Sequence, residues 1–188
     1  MIKKWTHKDA LPEIEKHISQ EIDGIIYTVA EKNFICIGRN AEFNQNAVDA
    51  LSDYEVIKPN YEGGVIVEQA GDIDILLFTH GFIGQDMRKE IVLALQQLCI
   101  ENGVNAEIVG NDFLVDGKKC ASWGSRIFGK MLYAALHISL NVDMDVIKAV
   151  CTKPMYKVPR GLCQFGIKPD DVYAVIEQSI ENIKIQEV

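Results

Sequence analysis

"NDFLVDGKKCASWGSR" spans residues 111–126. Phe113, Leu114 and Val115 predict a strand, Asp116-Gly117 suits a two-residue hairpin turn, and Lys118 to Trp123 predict the returning strand. Period-two alternation puts Cys120 and Ser122 on one face of that strand and Lys119, Ala121 and Trp123 on the other, so the adjacent lysines cannot share a side. One of them faces the interior. Burial disfavours an ammonium group unless an anion or acceptor meets it, so an interior lysine implies a partner. The alternative from local chemistry is a pair of solvated lysines at a hairpin tip.

Outward from this hairpin, the pattern is one of grouped strands. "IIYTVA", "NFICIG", "YEVIK", "GVIVEQ" and "IDILLFTH" precede it as strand-like runs bounded by Gly, Pro or Asp-rich turns, with "NAEIVG" just before it and "LYAALHISLNV" just after. Helical spacing appears over 8–21 (Leu11, Ile14, Ile18), over 85–101 (Met87, Ile91, Leu95, Leu98, Cys99), and in a last helix carrying Val172, Val175, Ile176 and Ile183. Shorter helices are expected over 45–52 and from about Met144 to Val150. Runs of strands with separate helices predict an α+β domain built on a mixed, largely antiparallel sheet flanked by helices. The 188 residues, without a break in composition, predict a single domain over 1–188.

Twenty-seven acidic against 19 basic residues give a formal charge of −8, which argues against a nucleic-acid or membrane-surface binder. Five cysteines, at 36, 99, 120, 151 and 163, form no C-x-x-C pair and signal neither a disulfide framework nor a zinc site. No apolar run approaches the ~18 residues of a membrane span, and the charged N-terminus lacks a signal-peptide core. A cytoplasmic protein is expected. Local chemistry offers three further candidate features: a cysteine beside one of His7, His17, His80 and His137, the Gly63-Gly64 turn as a backbone cradle, and Asp112 as a magnesium ligand or lysine partner. Core thiols, a tight turn and an Asn-Asp turn are the plainer alternatives.

In their order, "ICIGRNAEFNQNAVDAL" (35–51), "VIKPNYEGGVIVEQAGDIDILLF" (56–78), the hairpin quoted above and "LHISLNVDMDV" (136–146) resemble the biotin/lipoate protein ligase superfamily. In lipoate-protein ligases and octanoyltransferases a Gly-Arg pair precedes a Gly-rich strand, and an Asn-Asp or Asp-Gly segment precedes the active-site lysine. Lys119 matches that lysine. The resemblance implies lipoyl or octanoyl transfer onto a lysine of a lipoyl (or biotinyl) carrier domain from an acyl donor. Lys119 would stabilise the oxyanion, Gly63 and Gly64 would lie over the carboxylate, and Ala121 and Gly124 would leave room for the chain. If the protein is a ligase, ATP and magnesium enter, with Asp112 placing the metal. A catalytically silent member that binds a carrier or small acid is the third alternative.

The departures are specific. Where ligases carry R-R-x-S-G-G-G-A-V-Y-H-D, this chain runs from Lys58 to Gln69, keeping Gly63 and Gly64 but placing Glu68 at the family histidine and adding Glu62. The histidine that octanoyltransferases carry before L-N-V corresponds to Leu136, which leaves His137 one residue on and, by alternation, facing away from the site. Met155 stands where the octanoyltransferase nucleophile is a cysteine. Cys151, four residues earlier at a helix end, is the first substitute nucleophile, and Cys163 the second.

Overall fold

The computed structural model describes residues 4–5, 7–58, 64–80 and 84–186. Along the chain these form β1 (Lys4–Trp5), α1 (His7–Ser19), β2 (Gly24–Val29), β3 (Phe34–Ile37), α2 (Gln45–Asp49), β4 (Glu55–Ile57), β5 (Val65–Glu68) and β6 (Ile73–Thr79). Then come α3 (Gly84–Glu101), β7 (Ala106–Val109), β8 (Asp112–Val115), β9 (Lys118–Phe128), β10 (Met131–Ile138) and α4 (Met144–Val150). A short 3-10 turn, Leu162–Phe165, precedes α5 (Pro169–Gln186). All nine strands expected from the sequence are present, and β1 is added as a two-residue edge.

Seven strands form one sheet in the order β1-β2-β6-β10-β9-β8-β7. Only the β1–β2 pair is parallel there. The other three form a small sheet, β4-β3-β5. The expected α+β architecture, a largely antiparallel sheet flanked by helices, is what the chain adopts. Alternation along β6 sends Ile73, Ile75 and Leu77 to one face, where they pack with Ile91, Leu95 and Cys99 of α3 and Val172, Ile176 and Ile180 of α5. Leu76 and Phe78 point the other way, under Ala10, Ile14 and Ile18 of α1. α2 and α4 close over the small sheet through Val48, Val150, Ile35 and Ile37. The side chains of Leu11, Met87 and Ile183, also expected on apolar stripes, lie outside the described residues.

The opening hairpin forms as its turn chemistry requires. Asp116 and Gly117 both have positive φ, 47° and 70°, the pairing of a tight primed turn between β8 and β9. The register beyond it departs from strict alternation. Leu114 pairs with Lys119 but Phe113 with Ala121, so Cys120 is an extra residue in β9. This bulge changes the phase of the strand. Lys119 then shares a face with Ser122, which sits opposite Asp112, while Ala121 and Cys120 are buried in the main core with Phe113. The expectation that Lys119, Ala121 and Trp123 share one face, opposite Ser122, is therefore corrected. β9 also runs on to Phe128, past the expected end near Gly124, with Ser125 and Arg126 paired to Ala134 and Tyr133 of β10.

Candidate active site

On the sheet face opposite α3 and α5, two adjoining cavities open between the large sheet, the small sheet and the segment that follows α4. The first, of about 490 Å³, is bounded by Val65, Ile66 and Val67 of β5, by Asp112, Lys119 and Ser122, and by Cys151, Met155, Lys157 and Pro159. The second, about 360 Å³, runs beneath α1 and is bounded among others by Thr28, Glu68, Asp74, Trp123, Gly124 and Tyr133. Ile66, Ser122 and His137 border both, so the cavities are continuous neighbours.

Lys119 is brought to the first cavity by the bulge and held there from both sides of its backbone. Its N–H donates to the Val158 carbonyl at 3.0 Å, and its own carbonyl accepts the Arg160 N–H at 3.0 Å. The ammonium group meets Asp112 Oδ1 at 3.0 Å, while Lys157 donates to Asp112 Oδ2 at 2.8 Å. One carboxylate thus faces two cations. Burial alone would raise the Asp112 carboxyl, but Lys157 and Lys119 outweigh it and hold the group below the ordinary carboxylate range. Lys118, opposite Val115 at the hairpin tip, borders neither cavity.

The other sequence-selected residues are placed as follows. Cys151 borders the first cavity as the C-cap of α4, and burial raises its thiol. Met155 borders the same cavity. Cys163 does not: it packs against the main core within the 3-10 turn. Ala121 borders the first cavity although it is buried in the main core, and Gly124 borders the second. Gly63 and Glu62 lie outside the described residues. Gly64 precedes the β5 residues that line the cavity without lining it, and a Cβ there would meet no atom within 4 Å. Its φ is not positive, so glycine is not required at Gly64 for backbone conformation.

Asp74, which the sequence did not single out, borders the second cavity together with Glu68 and His137. His137 pairs with Ser122 on one side and Asp74 on the other, and it borders both cavities rather than facing away. The expected effect of the one-residue shift is thereby overturned, because the unbroken β9–β10 register sets His137 opposite Ser122 while its neighbour Leu136 is buried in the main core. His137 Nδ1 donates to Asp74 Oδ1 at 2.9 Å, and Nε2 lies 3.2 Å from Ser139 Oγ. Desolvation pulls this imidazole down, but the bond and charge of Asp74, with Glu68 and Asp72 behind it, hold it up at about 9. Glu68, Asp74 and His137 offer ligand atoms within 4.8 Å of one another.

A raised histidine pKa stabilises the fold by an amount fully present below the ordinary value of 6.5 and lost as pH rises through about 9. The gap corresponds to roughly 3 kcal/mol. Melting temperatures taken from pH 6.5 to 9 are expected to fall for the unmodified chain and to stay nearly flat across that window for His137→Gln. A flat profile for the unmodified chain would show that the ring is not charged.

A largely antiparallel sheet flanked by helices is the fold of the lipoate and biotin ligase catalytic domains that this chain resembles. The family model of the lipoyl protein ligase A/B catalytic domain matches residues 5–188, and the chain belongs to that family. No curated protein sequence matches it. Among solved structures, P. falciparum LipL1 in complex with lipoate superposes with a TM-score of 0.70 at 14% identity, over 95% of this chain and 57% of that one. A lipoate-protein ligase A bound with ATP gives 0.70 at 11% identity, over 97% and 83%. A bipartite lipoate protein ligase described with its E2 lipoyl domain, from Thermoplasma acidophilum, gives 0.67 at 12% identity, over 89% and 75%. At these identities the likeness is one of fold. No helix among the described residues is long and apolar enough to cross a membrane.

Proposed function

We propose that residues 1–188 act as one catalytic-type domain that joins a chain-like carboxylic acid, of lipoyl, octanoyl or biotin length, to a lysine of a lipoyl-type carrier domain in the cytoplasm. The observation that carries this reading is the Lys119–Asp112–Lys157 group at the floor of the first cavity. Two ammonium groups share one carboxylate, so a net positive charge remains to meet a carboxylate, a phosphate or the oxyanion of acyl transfer. Structural neighbours bound to lipoate or to ATP, and one described alongside its lipoyl domain, support an acid, a nucleotide and a carrier as the reactants.

The ligase route fits these residues better than a thioester route. A thiolate nucleophile requires a lowered pKa. Burial instead raises Cys151, at the carbonyl end of α4, and Met155 supplies no thiol at all. In the ATP-dependent route the acid's carboxylate attacks the α-phosphorus and pyrophosphate leaves. The carrier lysine, as a free amine, then attacks the acyl carbonyl, AMP leaves and one proton is released. Lys119 and Lys157 would hold the anionic oxygens through both steps. Asp112 is less suited to magnesium than the sequence implies, since each of its oxygens already faces a lysine; it serves here as their counter-ion.

Mixing the chain with an apo lipoyl domain and either ATP plus lipoate, or an octanoylated carrier without ATP, and weighing the acceptor intact tests the reading. An acyl-sized mass gain only in the ATP arm is expected. In that arm Cys151→Ala is expected to keep its rate within about twofold, and loss of all transfer would restore the thiol route. The silent alternative is favoured by Glu68 and Met155 standing where relatives carry a histidine and a cysteine. It would show as acid binding with no mass gain on the acceptor.

A further inference from the structure

The stretch that begins in α4 and runs past the first cavity differs in charge from the rest of the chain. From Val146 to Lys168 it carries Lys148, Lys153, Lys157, Arg160 and Lys168 and no acidic residue, so all 27 acidic residues lie outside it. Within it Thr152 to Tyr156 are exposed without a break. Tyr156 is 100% exposed and Met155 38%, and both stand at the mouth of the first cavity. The platform beneath them is fixed. Val158 and Arg160 bond to the Lys119 backbone, and the Arg160 guanidinium lies 4.7 Å from the centre of the Phe165 ring and donates to the Gln164 carbonyl at 3.2 Å.

A wholly exposed tyrosine contributes no burial to the fold, whereas tyrosine and methionine are enriched at protein interfaces and tyrosine is a frequent anchor there. A ring already presented on a fixed backbone loses little further freedom when a partner covers it. The cations around it point to the partner's charge. Lys148, in the last turn of α4, and Lys153 border neither cavity, so they do not meet a reactant held inside. Lys153 pairs with Glu42 at 3.6 Å, but with the two side chains 68% and 70% exposed the contact is screened and readily exchanged. In a chain of net charge −8, a basic rim around the reaction cavity attracts an acidic surface and repels a basic one. An acceptor lysine that enters by this mouth to reach Lys119 brings the surface around it onto Tyr156.

We propose that Tyr156 and Met155, flanked by Lys148 and Lys153, form the docking surface for the acceptor domain, and that this domain presents acidic side chains beside its acceptor lysine. The proposal rests on the acyl-transfer reading given above and names the chemistry of the partner at that site. Tyr156 is the apolar anchor, and the two outer lysines steer the encounter, which makes docking sensitive to salt.

Transfer from lipoate and ATP to an apo lipoyl domain, followed by intact mass, tests it in the unmodified chain, in Tyr156→Ala and in the double variant Lys148→Glu, Lys153→Glu. Beside it runs hydroxamate formation, in which hydroxylamine takes the acyl group from AMP and no carrier is needed. We expect the KM for the lipoyl domain to rise at least tenfold in both variants while hydroxamate formation stays within about twofold. Raising sodium chloride from about 50 to about 300 mM should raise that KM several-fold in the unmodified chain and far less in the double variant. A KM unchanged in both variants overturns the proposal and leaves the ligase reading intact. So does a KM that falls in the double variant, since that is the response to a basic acceptor. Hydroxamate formation lost in step with transfer would place these residues in the chemistry and overturn it too. A chain that scatters light as a dimer, and as a monomer in Tyr156→Ala, would assign the patch to a second copy, with the same result. If neither product forms, the ligase reading fails by itself. Direct binding of the apo lipoyl domain, weakened at least tenfold by the same variants, then still upholds the docking surface, and no binding overturns it.

Discussion

Lys119→Ala is expected to lower acyl transfer to a carrier domain by two to three orders of magnitude, with Lys118→Ala within about twofold of the unmodified chain. The size follows from what a fixed charge at a developing oxyanion contributes in a partly dry site, about 3 to 4 kcal/mol for one donor. The contrast follows from the backbone: only Lys119 is clamped between Val158 and Arg160 and directed at Asp112. Lys119→Arg separates charge from fit. If a positive charge alone sufficed, arginine would restore the rate, whereas its planar fork cannot take the place of a compact ammonium at a cramped carboxylate, so recovery should stay below about a tenth. Lys157→Ala should cost less, because Lys119 remains to balance Asp112. Equal small losses in Lys119→Ala and Lys118→Ala, read from intact acceptor mass against time, would remove Lys119 from the site.

The β8–β9 hairpin illustrates what could be read from the chain alone. Asp116-Gly117 is a local signal with a local outcome, and the turn forms with both residues left-handed as the dipeptide demands. Alternation placed one lysine inside and one out, and Lys119 does border the cavity where Lys118 does not. The bulge at Cys120 was hidden. An extra residue in one strand depends on its pairing with the other, and nothing within "KKCASW" marks it. The same limit explains His137. Its neighbours Asp74 and Ser122 lie on β6 and β9, 63 and 15 positions away, so the cluster exists only once the sheet order is known. Lys157 is another such case, since it reaches Asp112 from a Pro-containing loop with no periodicity of its own. The one signal for Glu68 in the sequence is its place in the Gly-rich segment where the family has a histidine, and taken alone that reads as a departure from the family pattern.

Gly161→Ala is expected to destabilise the fold by about 3 kcal/mol or more, a backbone collision at the severe end of overpacking. Its φ of −83° would suit any residue, so the demand for glycine is one of space. An added Cβ would lie 2.1 Å from the Leu140 carbonyl oxygen, 2.3 Å from its carbon and 2.4 Å from Asn141 Cα. None of these is a side-chain end that could swing aside. The approach is this close because residues 158–163 are laced between the end of β10 and the start of β9: Leu162 N–H donates to Ser139 O at 3.0 Å, Cys163 N–H to Leu140 O at 2.9 Å, and Arg160 N–H to Lys119 O at 3.0 Å. Forcing the strands apart at Gly161 should therefore loosen the Val158 and Arg160 clamp on Lys119 and withdraw Lys157 from Asp112, so transfer should fall together with stability. Gly64→Ala is the matching control. It belongs to the segment that sequence reading favoured, but with open space at its Cβ and no positive φ it should shift stability by less than about 0.5 kcal/mol. Urea midpoints and transfer rates measured on both variants decide the point. A Gly161→Ala chain as stable and active as Gly64→Ala would mean that the 158–163 segment does not hold Lys119 in place.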